Sequence, residues 1–279
     1  MAECNHDCAS CAENCPSRDP SSFLAHSHPL SSVKKMIAVV SGKGGVGKSL
    51  TTSLLAVNAI RDGKKAAIID ADVTGPSIPK IFGLKDYVKG SEDGMYPVKS
   101  QTGIEVMSLN LVVDDPSEPV AWRGPVLSGA VKQFWTDTIY GDVDELYVDM
   151  PPGTGDVPLT VFQSLPIDGI VIVTSPSDLV SLIVEKAIKL AESMNVKVLG
   201  IVNNMAYLDC PCCGQRIYPF GKLEHSLLAE KHHIEVFDEL PIDPSLGKLC
   251  DKGEIEQYKG RLLDKISQAI HSLPDKLKK

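Results

Sequence analysis

Short apolar runs alternate with stretches of helical periodicity from Lys34 to the end of the chain. The first three, KMIAVVS (35–41), GKSLTTSLLAVNAIRDG (47–63) and KAAIID (65–70), read as strand, helix and strand. Further runs rich in β-branched residues occupy 104–110, 145–150, 168–176, 196–204 and 234–241, which makes seven strands in all. Their nearly continuous apolar character is that of strands buried on both faces. Helical patterns fill 126–140, 178–194, 222–232 and 258–273. The expected fold is α/β, a doubly wound and mostly parallel sheet whose ligands belong at the carboxyl ends of the strands. Residues 73–103, rich in glycine, proline and charge, are expected to run over that edge. There is no internal repeat.

Residues 1–32 keep neither period and end in a polar, proline-bearing linker. They are read as a cysteine-rich tail ahead of one domain, 33–279, which includes an insertion at 207–221. The net charge of −8 gives no support for a nucleic acid or an anionic membrane as partner. No stretch reaches the roughly 18 apolar residues of a membrane span, and the N-terminus lacks a secretory pattern, so a cytoplasmic location is expected. The C-terminal stretch GRLLDKISQAIHSLPDKLKK fits a packed terminal helix better than a membrane anchor.

Between the first strand and helix lies SGKGGVGKS (41–49), the glycine-rich loop and Lys-Ser pair of a phosphate site in the context that site requires. Gly42, Gly44, Gly45, Val46, Gly47 and Leu50 would turn backbone amides toward phosphate oxygens. Lys48 would add a cation near the outer phosphates, and Ser49 a hydroxyl to Mg²⁺. Lys43 has two readings, a solvated surface lysine or a group that reaches across a nucleotide-dependent dimer to the partner's phosphates. Asp70 and Asp72 close one strand, two residues apart, and Asp149 closes another. Asp149 would hold Mg²⁺ through its water, Asp72 would orient the attacking water, and Asp70 would tie its strand end to Mg²⁺ or to the loop. PPGTGD (151–156) has the composition of a segment that moves when a γ-phosphate leaves, with the Gly153 amide available to that phosphate.

The eight cysteines fall at both ends of the chain. Cys210 and Cys213 have a two-residue gap that presents both sulfurs to one metal centre. Alone they are half a site. Two subunits would complete four thiolates around one shared 4Fe-4S cluster, with a structural zinc knuckle and a redox dithiol as alternatives. Cys212 fits neither scheme cleanly, and Cys250 stands apart. In the tail, Cys4, Cys8, Cys11 and Cys15 suffice for one 4Fe-4S cluster or one zinc ion, with His6 a minor candidate ligand.

SGKGGVGKS, DADVTGPS, WRGP (122–125), VDMPPGTGD, VNNMAYLDCPCCG and ELPIDPSL, in that order, resemble the Mrp/ApbC group of iron-sulfur cluster carrier ATPases. That group belongs to the deviant Walker A class of P-loop NTPases, which also holds MinD, ParA and nitrogenase iron protein. The resemblance covers roughly residues 33–275. It implies an ATP-hydrolysing homodimer that binds a 4Fe-4S cluster at its interface and passes it to apo-proteins, with a cluster donor as a further partner. It places Lys43 on the signature lysine, Lys48 and Ser49 on the phosphate and Mg²⁺ residues, Asp72 on the catalytic switch aspartate, Asp149 on the Walker B position and Cys210 with Cys213 on the bridging cysteines. Asn204, with Asn203 as its neighbour, falls on the adenine-contacting asparagine, and Pro241 and Asp243 on a second base-contact segment. The tail resembles that of eukaryotic cytosolic scaffold proteins in cysteine number but has narrower gaps. Two rival functions are an electron-transfer protein resembling nitrogenase iron protein and a positioning or partition ATPase. The second leaves the cysteines without a role.

Overall fold

The computed structural model describes residues 24–72, 75, 77–113, 124–153, 155–176, 180–222, 232, 234 and 236–276. All seven expected strands form: β1 (Ser32–Ser41), β2 (Ala66–Asp70), β6 (Glu105–Ser108), β7 (Asp142–Asp149), β8 (Gly169–Thr174), β9 (Val198–Asp209) and β11 (Phe237–Pro241). They lie parallel in the spatial order β11, β9, β8, β1, β7, β2, β6. Two short strands, β5 (Val98–Lys99) and β10 (Arg216–Ile217), add antiparallel edges, on β6 and on the far end of β9. A separate hairpin joins β3 (Lys89–Gly90) to β4 (Met95–Tyr96).

β2 and β8 are buried along their whole length and β1 and β7 over all but their first residues, so successive side chains feed two cores rather than one. Met36, Ala38 and Val40 of β1 pack beneath α3 (Gly124–Thr136), α4 (Asp156–Ser164) and α5 (Val180–Ser193), with Phe134, Trp135, Phe162 and Ile188. Ile37 and Val39 pack on the opposite face, beneath α1 (Lys48–Arg61), α2 (Ile78–Ile81), α6 (Pro244–Lys252) and α7 (Asp264–His271). The ends of α6 have local causes. Asp243 caps α6 by accepting the Ser245 amide, Pro244 follows at its first position, and Gly253 closes it with φ 75°. In contrast, α1 begins at Gly47 with no side-chain cap, which leaves its first amides available to an anion.

Three helices, α2, α4 and α6, were not expected from the sequence, because each is short and sits beside glycine or proline. The helix expected over 126–140 stops at Thr136, and that over 258–273 is confined to Asp264–His271. The pattern at 222–232 falls almost wholly outside the described residues. Of residues 73–103, expected over the carboxyl edge, Gly75, Ser77 and Ile81 do line the cleft there, but the later part leaves it. After α2 the chain descends beside the sheet until Met95 bridges Thr138, ahead of the start of β7, and β5 runs antiparallel to β6. The reason is hydrogen bonding: the Met95 amide and carbonyl are taken up by Asp137 and Ile139. Residues 24–31, within the expected linker, pack on the body. The Ala25 amide bonds Ser164 O at 2.7 Å, its carbonyl accepts Trp135 Nε1 at 2.9 Å, and the Ser31 hydroxyl reaches Thr138 O at 3.0 Å. Among the described residues no helix is long and apolar enough to cross a membrane.

Candidate functional site

β1, β2 and β7 end side by side, and their register sets Asp70 directly beside Asp149. The loop that leaves β1 turns through Gly45 (φ 77°) and Gly47 (φ 85°), left-handed conformations that glycine adopts without strain. It borders a cleft of ≈ 370 Å³ lined by Gly44, Gly45, Lys48, Ser49, Asp72 and Cys250, among others. Lys43 is half-buried, and its carbonyl accepts the Ser41 hydroxyl at 3.0 Å.

Asp149, fully buried, is the hub of the cleft floor. Its Oδ1 accepts Lys48 Nζ at 2.8 Å and the Thr52 hydroxyl at 3.0 Å, while Oδ2 accepts the Ser49 hydroxyl at 2.6 Å. Lys48 also stands 3.4 Å from Asp72 Oδ2. Asp70 accepts the Asp72 amide at 3.2 Å and the Ser108 hydroxyl at 3.0 Å. Burial, and then the Asp149 charge next to it, pushes the Asp70 carboxyl well above the usual carboxylate range. Of the carboxyls in the group, Asp70 is thus the one pushed toward its protonated form.

Two expected phosphate or base contacts are engaged elsewhere in this conformation. The Gly153 amide donates to Ser41 O at 2.9 Å rather than facing the cleft. Asn204 donates from its amide nitrogen to Val46 O at 2.9 Å, and a side chain at Gly47 would meet that nitrogen at 2.0 Å. Its carbonyl accepts the amide of Met205, a non-glycine residue held at φ 57°. One side chain thus braces both the phosphate loop and a kink in β9. Asn203 points to the opposite face of the sheet, so it has no access to the loop. Pro241 pairs with Tyr207 at the end of β11, and Asp243 caps α6; neither lines the cleft.

β9 runs past the edge of the sheet and carries the cysteines. Asp209 and Leu208 pair with Arg216 and Ile217, the Cys210 amide bonds Gln215 O at 2.9 Å, and the Gly214 amide bonds Cys210 O at 2.8 Å. Gly214, at φ 71°, closes the turn. The Arg216 guanidinium lies 3.5 Å from the centre of the Tyr207 ring, a cation–π contact that stiffens the base of the hairpin. Cys212 and Cys213 are exposed and Cys210 is half-buried. Backbone amides of Cys212 and then Cys213 turned toward the Cys210 sulfur lower its thiol below the ordinary range. Cys250 lies on α6 in the wall of the nucleotide cleft, where burial raises its thiol. Among the described residues no group of three or more metal-ligating side chains gathers within one chain. Cys4, Cys8, Cys11 and Cys15 lie outside the described residues.

The strand whose Asn204 holds the phosphate loop thus leads into the surface thiol pair, and comparison with known proteins assigns the chain to a family. The family described as "ParA: NUBPL iron-transfer P-loop NTPase" matches residues 32–277. The chain belongs to that family. This P-loop ATPase is 41% identical to the iron-sulfur cluster carrier protein of Clostridium perfringens, over 90% of this chain and 94% of that one. It is 38% identical to the protein of the same name in Methanocaldococcus jannaschii, over 91% and 90% of the two chains. A solved structure of a nucleotide-binding protein in complex with ADP from Archaeoglobus fulgidus superposes with a TM-score of 0.75 at 46% identity, covering 83% of this chain and 91% of that one.

Thr52, Ser108 and Met205 are the residues of the site that sequence reasoning missed. Thr52 had a signal, since it follows Lys48 by four residues and so shares its side of α1. Ser108 had none, because its contact depends on β6 lying next to β2.

Proposed function

We propose that this chain is an ATP-hydrolysing scaffold and carrier that holds a 4Fe-4S cluster as cargo between Cys210 and Cys213 of two identical subunits and passes it to apo-proteins. The observation that carries the reading is β9, whose Asn204 grips the phosphate loop and whose far end presents the paired thiols. Four thiolates from two chains satisfy a cluster that two thiolates cannot. A ligand set divided between subunits also lets the cargo enter and leave.

The residues of the cleft suit ATP with Mg²⁺. Ser49 Oγ lies 2.6 Å from Asp149 Oδ2, and Asp72 stands across from Lys48, so the donors are all oxygen, as a small hard cation prefers. Mg²⁺ would be held by Ser49 and, through water, by Asp149, and would draw charge from the phosphates during hydrolysis. Asp70 would tie its strand end to Mg²⁺ or to the loop. Residues 42–50 would wrap the phosphates, Asp72 would orient the attacking water, and Lys43 would reach the nucleotide of the partner subunit. Gly153 would turn its amide from Ser41 O to the γ-phosphate, and Asn204, with Pro241 and Asp243, would serve the base. If Asn204 releases Val46 or Met205 in doing so, the kink in β9 relaxes and the hairpin shifts, which couples nucleotide to cargo. In the tail, Cys4, Cys8, Cys11 and Cys15 would hold a second centre, 4Fe-4S or zinc. Acceptors and a cluster donor would be met in the cytoplasm.

The test is anaerobic reconstitution of the wild type and of Cys210→Ala/Cys213→Ala, with iron and sulfide counted per dimer and transfer to an apo-protein followed. The expected result is loss of about four iron atoms per dimer and of transfer in the double variant. Equal metal content and equal transfer in the two proteins would overturn the reading.

A further inference from the structure

Three consecutive hydroxyls follow Leu50 on α1, and one of them is placed differently from its neighbours. The Thr51 and Ser53 hydroxyls bond the carbonyls four residues back, Gly47 O at 3.0 Å and Ser49 O at 2.8 Å. The Thr52 hydroxyl has that same option, Lys48 O at 3.0 Å, and a second acceptor at 3.0 Å, Asp149 Oδ1. Both Thr52 and Asp149 are fully buried.

We infer that Thr52 is a positioning residue for the ATPase reaction: it keeps Asp149 aimed at the metal while Lys48 and Ser49 change partners. The inference rests on the reading of Asp149 and Ser49 as the Mg²⁺ side of the site. Three donors now point at the Asp149 carboxylate, Lys48 and Thr52 at Oδ1 and Ser49 at Oδ2. When nucleotide is bound, the Lys48 ammonium belongs on the phosphates and the Ser49 oxygen on the metal. Oδ1 would then be a buried carboxylate oxygen without a donor, which is costly. Thr52 has no task in the cleft. Its single proton can swing from Lys48 O to Oδ1 by rotation about one bond, with no movement of the helix, and the carboxylate keeps its orientation throughout.

The experiment compares Thr52→Val, which keeps the shape and loses the hydroxyl, with Thr52→Ser, which keeps the hydroxyl. Thr52→Ala replaces the valine variant if the latter does not fold. ADP affinity is measured calorimetrically with Mg²⁺ and with EDTA, and ATPase rate is measured against Mg²⁺ concentration. Without Mg²⁺ all variants should bind ADP as the wild type does. The affinity gained from Mg²⁺ should fall about tenfold in Thr52→Val, the size of one lost hydrogen bond to a charged group. The Mg²⁺ concentration for half-maximal rate should rise by a similar factor, with kcat changed less, and Thr52→Ser should restore both. A full Mg²⁺ gain in Thr52→Val, or a defect in Thr52→Ser equal to that of valine, overturns the inference. Asp149→Asn separates the two levels. If that variant also keeps the full Mg²⁺ gain, the reading of Asp149 fails and takes the inference with it; if it loses the gain while Thr52→Val keeps it, only the role of Thr52 fails.

Discussion

The two ends of the β9 neighbourhood are built on opposite plans. Around the phosphate loop, Lys48, Thr52, Asp70 and Asp149 are buried and each polar group has a named partner, so the floor of the cleft is set before any ligand arrives. At the hairpin, Cys212 and Cys213 are exposed on a turn held by two residue pairs, two backbone hydrogen bonds and a cation–π contact. Chemistry repeated on every cycle gains from fixed dipoles inside the core, because nothing has to reorganise. A cargo site gains from surface ligands and from being incomplete within one chain. Changes at one end should therefore leave the resting geometry of the other intact, and this is where the comparison can be broken.

The largest effect should come from Lys48→Ala. It removes the cation of the phosphate site, and ATP hydrolysis should fall by about a hundredfold or more, as measured by steady-state phosphate release. It also leaves the buried Asp149 carboxylate without its cation, so the melting temperature should drop. The rate at which iodoacetamide modifies Cys210 in the nucleotide-free protein should stay at the wild-type value. A changed Cys210 rate would mean that the hairpin depends on the charge balance of the cleft, and the two regions would no longer be separate.

The second effect concerns the thiols themselves. Cys210 is held low by amide hydrogen bonds to its sulfur, whereas Cys250 is raised by burial and by the adjacent Asp251 carboxylate. Hydrogen bonding stabilises the thiolate and burial destabilises it, so Cys210 should remain ionised as the pH falls below the ordinary thiol value while Cys250 is already protonated. Alkylation followed by mass spectrometry from pH 6 to pH 9 should show Cys210 reacting faster than Cys250, with the gap widest at the acid end. Coincident pH profiles would remove the contrast.

Much of this arrangement was legible in the sequence, and the part that was not has a common cause. The seven strands appeared as apolar runs, and the loop, Asp70, Asp72 and Asp149 followed from where those runs end, because strand ends and glycine-rich loops are local features. What depended on neighbours in space was missed. The Ser108 contact needs β6 beside β2, and the route of residues 73–103 needs the Met95 pairing with Thr138. The short helices α2, α4 and α6 carry too few turns to impose a period. Gly153 and Asn204 were expected to face ligand, and each instead bonds a backbone carbonyl at the phosphate loop, Ser41 O and Val46 O.

Met205 offers a smaller and more selective test, because it lies on the strand that joins the two regions. Its left-handed backbone costs a non-glycine residue about 1–2 kcal/mol, and here Asn204 holds it in place through the Met205 amide. Met205→Gly removes that cost, so the kink should persist whether or not Asn204 holds it. Cys210 and Cys213 alkylation should respond to ATP a few-fold less than in the wild type, while steady-state ATPase is retained. An undiminished response to ATP would show that the kink does not transmit nucleotide state.

The smallest effect should follow Ser108→Ala, and its size can be argued from charge. Ser108 bonds Asp70 Oδ2 at 3.0 Å, and Asp70 in turn accepts the Asp72 amide. Burial and the Asp149 charge push Asp70 toward its protonated form, so the lost contact should be that of two uncharged groups, about 1 kcal/mol, less than a hydrogen bond to the Asp149 carboxylate. Denaturant unfolding should register that loss. Because the Asp72 amide is fixed through Asp70, kcat should fall by less than about twofold, well under the roughly five-fold that 1 kcal/mol represents, with little change in KM for ATP. A loss near that of a charged contact would mean that Asp70 is ionised in the folded protein, and its role would pass from anchor to metal ligand.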